Sequence, residues 1–198
     1  MNNLISEYIT TRICHDIIGN VGAVANAVEL LEDGDMDFME DIKSILKTSS
    51  TVLTARMKFF RLAFGLSNAG IEDTKNVENI IRAYLNTVGG KNPPELNFDV
   101  KNVNFNKPAM LLSMMIADLM VKGGTIHVVT QEGRLLVGVD ENVRIVTEKA
   151  EQTKNIINGE QDSFVAQDAP TLYLSELCKN AGQKLSCTIS PFVCFAVE

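Results

Sequence analysis

The sequence predicts an α+β fold, a helical hairpin followed by a unit in which helices sit beside a mostly antiparallel sheet. Three observations point there. The first third carries two long apolar rows at helical spacing, joined by a turn cluster. The remainder carries short alternating stretches punctuated by glycine and proline pairs. The whole has an ordinary globular composition, 45% hydrophobic and 22% charged over 198 residues, which excludes wholesale disorder.

Leu4 to about Asp33 reads as a helix whose apolar row is Ile13, Ile17, Val21, Val24, Val28 and Leu31. It stops at Glu32-Asp33-Gly34-Asp35, where Gly34 suits a left-handed turn. Asp35 or Asp37 then caps a second helix from about Met36 to Leu66, with the row Phe38, Ile42, Ile45, Val52, Leu53, Met57, Phe60 and Phe64. So short a turn sets the two helices antiparallel. Two helices alone bury only one stripe each, so the hairpin predicts a homodimer that closes a four-helix bundle. The second half of the chain is the other available cover.

Ser67 to Lys75 is polar and glycine-containing, and divides the chain into units 1–67 and 75–198. Beyond it the pattern predicts a helix at Val77–Val88 stopped by Gly89-Gly90, a strand at Leu96–Val100 and a helix at Lys107–Val121. A hairpin follows, Thr125–Thr130 with Arg134–Val139, its turn at Gln131-Glu132-Gly133. Helices at Thr147–Asn158 and Pro170–Ala181 precede two closing strands, Lys184–Ile189 and Phe192–Val197. The spaced Met110, Met114, Met115 and Met120 read as core.

Charge narrows the function. With 25 acidic against 18 basic residues, a net charge of −7 and no Lys/Arg cluster, the chain is a poor partner for nucleic acid. No apolar run approaches the roughly 20 residues of a membrane span, and no signal peptide pattern opens the chain. Four cysteines without a CxxC pair, and only two histidines, predict no metal centre and a reduced, cytoplasmic protein. Glu29 to Asp41 is rich in acids and reads as a solvated hairpin tip.

One histidine carries chemistry. His15 lies two residues from both Ile13 and Ile17, about 200° round the helix from the apolar row, and so faces solvent. Its neighbours on that face are Arg12, Ile18, Gly19 and Gly22. Each interior glycine costs about 1 kcal/mol against alanine, which is consistent with a large body approaching the backbone there. A neutral imidazole is a good nucleophile toward phosphorus, and Asp16 can hold its other ring proton or act as a base. Spacing by itself favours a plain surface histidine, with Gly19 and Gly22 marking a helix break or a close helix crossing. His127, in an alternating strand, reads as an exposed sheet residue.

Arg12-Ile13-Cys14-His15-Asp16-Ile17-Ile18, followed by Val21-Gly22-Ala23-Val24-Ala25-Asn26 and Glu29-Leu30-Leu31, resembles the phosphoacceptor helix of ChpT-type histidine phosphotransferases, relatives of sensor histidine kinases. Met110–Gly124 running into Thr125–Val129 resembles, in order of elements, the degenerate kinase-type ATP-binding domain of that family. The resemblance implies an N-terminal dimerisation and phosphotransfer hairpin followed by an ATPase-like α/β sandwich. It implies that His15 carries a phosphoryl group between receiver-domain aspartates in a two-component phosphorelay, with Asp16 orienting or deprotonating it. Arg12, Ile18, Gly19 and Gly22 would meet the partner. Partners would be response-regulator receiver domains and the receiver of a hybrid kinase, which bring their own Mg²⁺. The family's usual proline five residues after the histidine is Asn20 here. His-Asp-Ile-Ile-Gly-Asn is also similar to the His-Asp-x-Leu-Gly-Gln box of another sensor-kinase family, in which the amide positions a water, so Asn20 is a candidate accessory residue.

A working kinase site needs an Asn on the helix where this chain reads Ser113-Met114-Met115-Ile116-Ala117-Asp118. It also needs an Asp-x-Gly-x-Gly loop where this chain reads Asp140-Glu141-Asn142-Val143. The expectation is therefore no cofactor and no autokinase activity, with Asp118 and Asp140 read as solvated carboxylates. Two other classes remain: a non-catalytic dimeric adaptor docking through the Ile18/Gly19/Gly22 face, and an ATP-dependent kinase core, which the missing Asn and glycines disfavour.

Overall fold

The computed structural model describes residues 2–32, 38–66 and 69–198. Helices α1 (Asn2–Glu32) and α2 (Met39–Phe64) pack side by side along the N-terminal third. Arg56 of α2 reaches the backbone oxygen of Asp16 on α1, a contact that a short connection permits only in an antiparallel pair. The turn expected at Gly34, the cap at Asp35 or Asp37 and the boundary residue Ser67 lie outside the described residues.

Helix α1 is rotated relative to its apolar row. Ile5, Arg12 and Ala27 are buried, Ile13 and Ile17 pack at the edge of the main core, and Val21, Val28 and Leu31 stay exposed. The buried arc is thus centred on the Arg12 side, because the Arg12 head group finds its acid partners there.

Helix α3 (Thr74–Leu85) starts earlier than the apolar pattern suggests, because Asp73 caps it and accepts from the N–H groups of Lys75 and Asn76 at 2.9 and 3.2 Å. It ends before Gly89 and Gly90, both at positive φ. Strand β1 (Glu95–Asp99) leads through α4 (Asn106–Leu119) to β2 (Thr125–Gln131), which pairs antiparallel with β3 (Arg134–Val139). Gln131 pairs with Arg134, so the loop is only Glu132-Gly133, at φ 51 and 79, the two positive values of a type I′ turn. Helices α5 (Thr147–Asn158) and α6 (Ala169–Asn180) follow, then β4 (Leu185–Thr188) and β5 (Cys194–Val197). The short 3₁₀ turns at Val103–Phe105 and Ala166–Asp168 are too brief to leave a periodic signal.

The sheet order is β1-β2-β3-β5-β4, antiparallel except where β1 runs parallel to β2, with α4 as the crossover. Alternation sends Ile126, Val128, Leu135 and Val137 into the core, and half-exposes His127 and Val129 on the opposite face. Met110, Met114 and Met115 are buried as expected. The C-terminal end of α2 belongs to the same core: Phe59 stacks on Tyr84 of α3, with ring centroids 4.0 Å apart. Each such side chain contributes about 1.5–3 kcal/mol relative to exposure, so the root of the hairpin is firmly seated. That seating sets α1 beside α6 and the 3₁₀ turn at Ala166–Asp168. No described helix is long and apolar enough to cross a membrane.

Candidate functional site

His15 stands in the middle of α1 with 72% of its side chain exposed, and Nδ1 faces Asp16 Oδ1 at 3.4 Å. Asp16 is held from two directions. Arg12, one turn earlier, donates from Nε to its Oδ2 at 2.8 Å. Arg56 Nη1 donates to its backbone oxygen, while Arg56 Nε and Nη2 donate to the hydroxyl and backbone oxygens of Thr87 at 3.1 and 2.9 Å. Arg56 thus ties α1, at the residue after the histidine, and α2 to Thr87 just past the end of α3.

Arg12, expected at the docking face, instead turns inward. It is 6% exposed, and its Nη2 donates to Asp118 Oδ1 of α4 at 2.9 Å. Its position about 60° from His15 on the helix lets its head group reach Asp118 of α4 while it also holds Asp16 of its own helix, and these two acids take the place of solvent. Burial alone would lower the Arg12 pKa, but Asp118 and Asp16 outweigh it and push the value up, so the guanidinium is charged. Asp118 is correspondingly not a solvated surface carboxylate. Its Oδ2 is enclosed without a hydrogen-bond partner, and burial pushes its pKa up against the opposing pull of Arg12. Burial likewise raises the pKa of Tyr84 close by and keeps its hydroxyl neutral.

A cavity of about 380 Å³ opens beside this cluster, lined by Arg12, His15 and Asp16 from α1, Asp118 from α4, and Lys149 and Gln152 from α5. The other flank of His15 is open. Ile18 is 64% exposed, and a Cβ on Gly19 or Gly22 would meet nothing within 4 Å. Asn20 is half-buried, one turn on from Asp16 and about 140° round the helix from His15. Among the described residues no cluster of His, Cys, Asp and Glu is arranged to hold a metal ion.

Sequence reasoning placed His15, Asp16 and the open Ile18/Gly19/Gly22 face on one helix, and missed Arg56, Thr87 and the role of Asp118. No local pattern marks those three, since each is defined by a contact across at least 31 positions of chain. On the far face of the sheet, His127 Nε2 and Asp140 Oδ1 lie 2.9 Å apart and Asn97 Nδ2 approaches His127 Nδ1 at 3.1 Å, so this histidine is partnered, not free.

No protein-family model matches the chain. It is 34% identical over 146 residues to the protein phosphotransferase ChpT of Brucella abortus (strain 2308), an alignment covering 65% of this chain and 67% of that protein. Its fold matches a bacterial phosphotransferase solved at 1.7 Å, with a TM-score of 0.79 and 25% identity, over 100% of this chain and 97% of that one.

Proposed function

The chain belongs to the ChpT-type protein phosphotransferases and acts as a histidine phosphotransferase in a phosphorelay, and we propose that His15 is its phosphorylated residue. The observation that carries this reading is the exposure of the imidazole together with a carboxylate on its Nδ1 side, which leaves Nε2 open to a docking protein.

In that reaction Nε2 attacks the phosphorus of a receiver domain's aspartyl phosphate. The N–P bond forms, the P–O bond to the aspartate breaks, and the aspartate leaves as a carboxylate. The ring keeps its Nδ1 proton and becomes cationic, and Asp16 Oδ1 offsets that charge. Transfer to a second receiver runs the same step in reverse. Receiver domains of response regulators and of a hybrid kinase are the proposed partners, meeting the open face of Ile18, Gly19 and Gly22. Asn20 sits too far round the helix to touch the ring, so any accessory role for it runs through Asp16's side of the helix.

The second unit, 75–198, is proposed as a nucleotide-free descendant of the kinase ATP-binding fold, and the hairpin, 1–67, as half of a homodimeric four-helix bundle. The residues present do not fit ATP and Mg²⁺. Asp118, on the helix that would supply the Asn, is pinned by Arg12, and Asp140 bonds His127 on the opposite face of the sheet. The exposed Val21, Val28 and Leu31 flank supports the dimer. An adaptor without chemistry leaves the buried support of Asp16 beneath an exposed histidine unexplained.

The test is incubation with a panel of phosphorylated receiver domains. Acid-labile, base-stable label on the parent chain and its loss in His15→Ala are expected; label retained by His15→Ala overturns the assignment.

A further inference from the structure

Asp16 has two oxygens and two claimants. Arg12 Nε holds Oδ2 at 2.8 Å, and His15 Nδ1 faces Oδ1 at 3.4 Å. A guanidinium facing one carboxylate favours two parallel N–H bonds, which would occupy both oxygens. Arg12 does not close on Asp16 in that way. The second arm of its fork, Nη2, is drawn off to Asp118 Oδ1 at 2.9 Å. The Arg12 side chain is only 7% exposed, so an Nη2 without Asp118 has little water to turn to. Rotation onto the remaining oxygen of Asp16 would satisfy it and take that oxygen from the histidine. Asp118 itself gains no other hydrogen bond at this position, since its Oδ2 is enclosed without a partner among the described residues. An acid in such a place is costly unless the guanidinium requires it.

We propose that Asp118, on the second unit, is a positioning residue for phosphotransfer: by holding Arg12 Nη2 it leaves Asp16 Oδ1 for His15 Nδ1, so that the imidazole presents an unprotonated Nε2. The second unit is then part of the phosphotransfer machinery, because it supplies the group that sets the histidine's tautomer. This inference rests on the reading of His15 as phosphoacceptor.

The experiment uses the full chain and two readouts. Nitrogen–proton NMR above the titration of imidazole reports which ring nitrogen of His15 bears the proton. Treatment with phosphoramidate, a small donor that transfers its phosphoryl group to imidazole nitrogen with loss of ammonia, reports the rate and the nitrogen modified. The parent is expected to carry the proton on Nδ1 and to be phosphorylated on Nε2. Asp118→Ala is expected to shift the proton to Nε2 and slow phosphorylation at Nε2 by on the order of tenfold or more, the direction seen when a catalytic histidine is held in the wrong tautomer. Adding Arg12→Met to Asp118→Ala should restore the parental tautomer, because the competitor for Oδ1 is gone; a merely structural contact would instead be worsened by the second change.

Asp118→Asn, which keeps an acceptor oxygen for Nη2, should hold the parental tautomer and remains readable if Asp118→Ala fails to fold. A parent with its proton on Nε2, an Asp118→Ala variant with the parental tautomer, or an Asp118→Asn variant without it overturns the proposal. Acid-labile label on His15→Ala would sink the phosphoacceptor reading itself, a separate result, since the tautomer measurement needs no phosphoryl donor.

Discussion

Asp16 is the residue on which the proposed site turns, because one side chain accepts from Arg12 and lies against the histidine proposed to carry the phosphoryl group. Replacing it with asparagine removes the charge but little of the volume. Asp16→Asn is expected to slow single-turnover transfer from a phosphorylated receiver by on the order of a hundredfold, within the range ordinary for a lost acid–base partner. The fold should survive, since Arg12 keeps Asp118. The cysteines give a second measurement at this scale. Burial pushes the thiol of Cys178 up to about 11 and that of Cys187 up to about 12, and raises Cys194 as well, whereas Cys14 beside His15 is exposed. Only the thiolate reacts, and burial keeps these three thiols protonated above their ordinary range. Maleimide at neutral pH, followed by mass spectrometry, should therefore modify Cys14 first, the half-exposed Cys187 and Cys194 more slowly, and the buried Cys178 only after unfolding.

Among the elements, α1 serves different neighbours on different sides. Its inner arc, centred on Arg12 and Ala27, seats it against α2, α6 and the 3₁₀ turn at Ala166–Asp168, with Arg12 reaching Asp118 of α4, while the arc through His15, Ile18, Gly19 and Gly22 is open. Neither glycine is required by the packing, because a Cβ at either position meets open space. Gly22→Leu should therefore leave the thermal midpoint unchanged or raised, leucine being the better helix former by close to 1 kcal/mol. The same side chain would hold a receiver domain away from His15, and misplacement by about 1 Å can cost on the order of a hundredfold in rate. Calorimetry paired with a transfer assay checks both halves. An unfolded variant would show that the glycine serves a bend, and a fully active one would place the docking surface elsewhere.

At the scale of the whole molecule, one core joins the root of the hairpin to the sheet, while the outer hairpin leaves an apolar flank uncovered. Val21, Val28 and Leu31 on α1, Ile45 on α2 and Phe38 just before it are exposed. A second copy covering them would complete the bundle. Val28 is 43% exposed, so Val28→Asp should be tolerated by the monomer fold and opposed only at that interface. Light scattering at about tens of micromolar, a concentration at which a stable dimer persists, should give a dimer for the parent and a monomer for Val28→Asp. A monomeric parent would contradict the assembly.

Much of this was legible in the sequence because it is local. Helical periodicity located α1, α2 and α4, Glu132-Gly133 marked a hairpin turn, and Thr147–Asn158 matched α5 at both ends. His15 was legible because its exposure follows from its angle to Ile13 and Ile17 on one helix, and Asp16 because it is the next residue. The depth of Arg12 was not, because the charged residue itself turns the helix inward and the apolar row does not fully set that rotation. The Arg12–Asp16 bond is an i, i+4 pair on one helix, and tertiary structure alone decided that Arg12 also touches Asp118. The Arg12–Asp118 and Arg56–Thr87 contacts join segments that the folded core brings together, and no spacing rule reaches across that distance. The sequence by itself determined that an exposed histidine stands beside a carboxylate; the fold decided that the arginine behind them meets Asp118 of α4, because that pair joins segments distant in the chain.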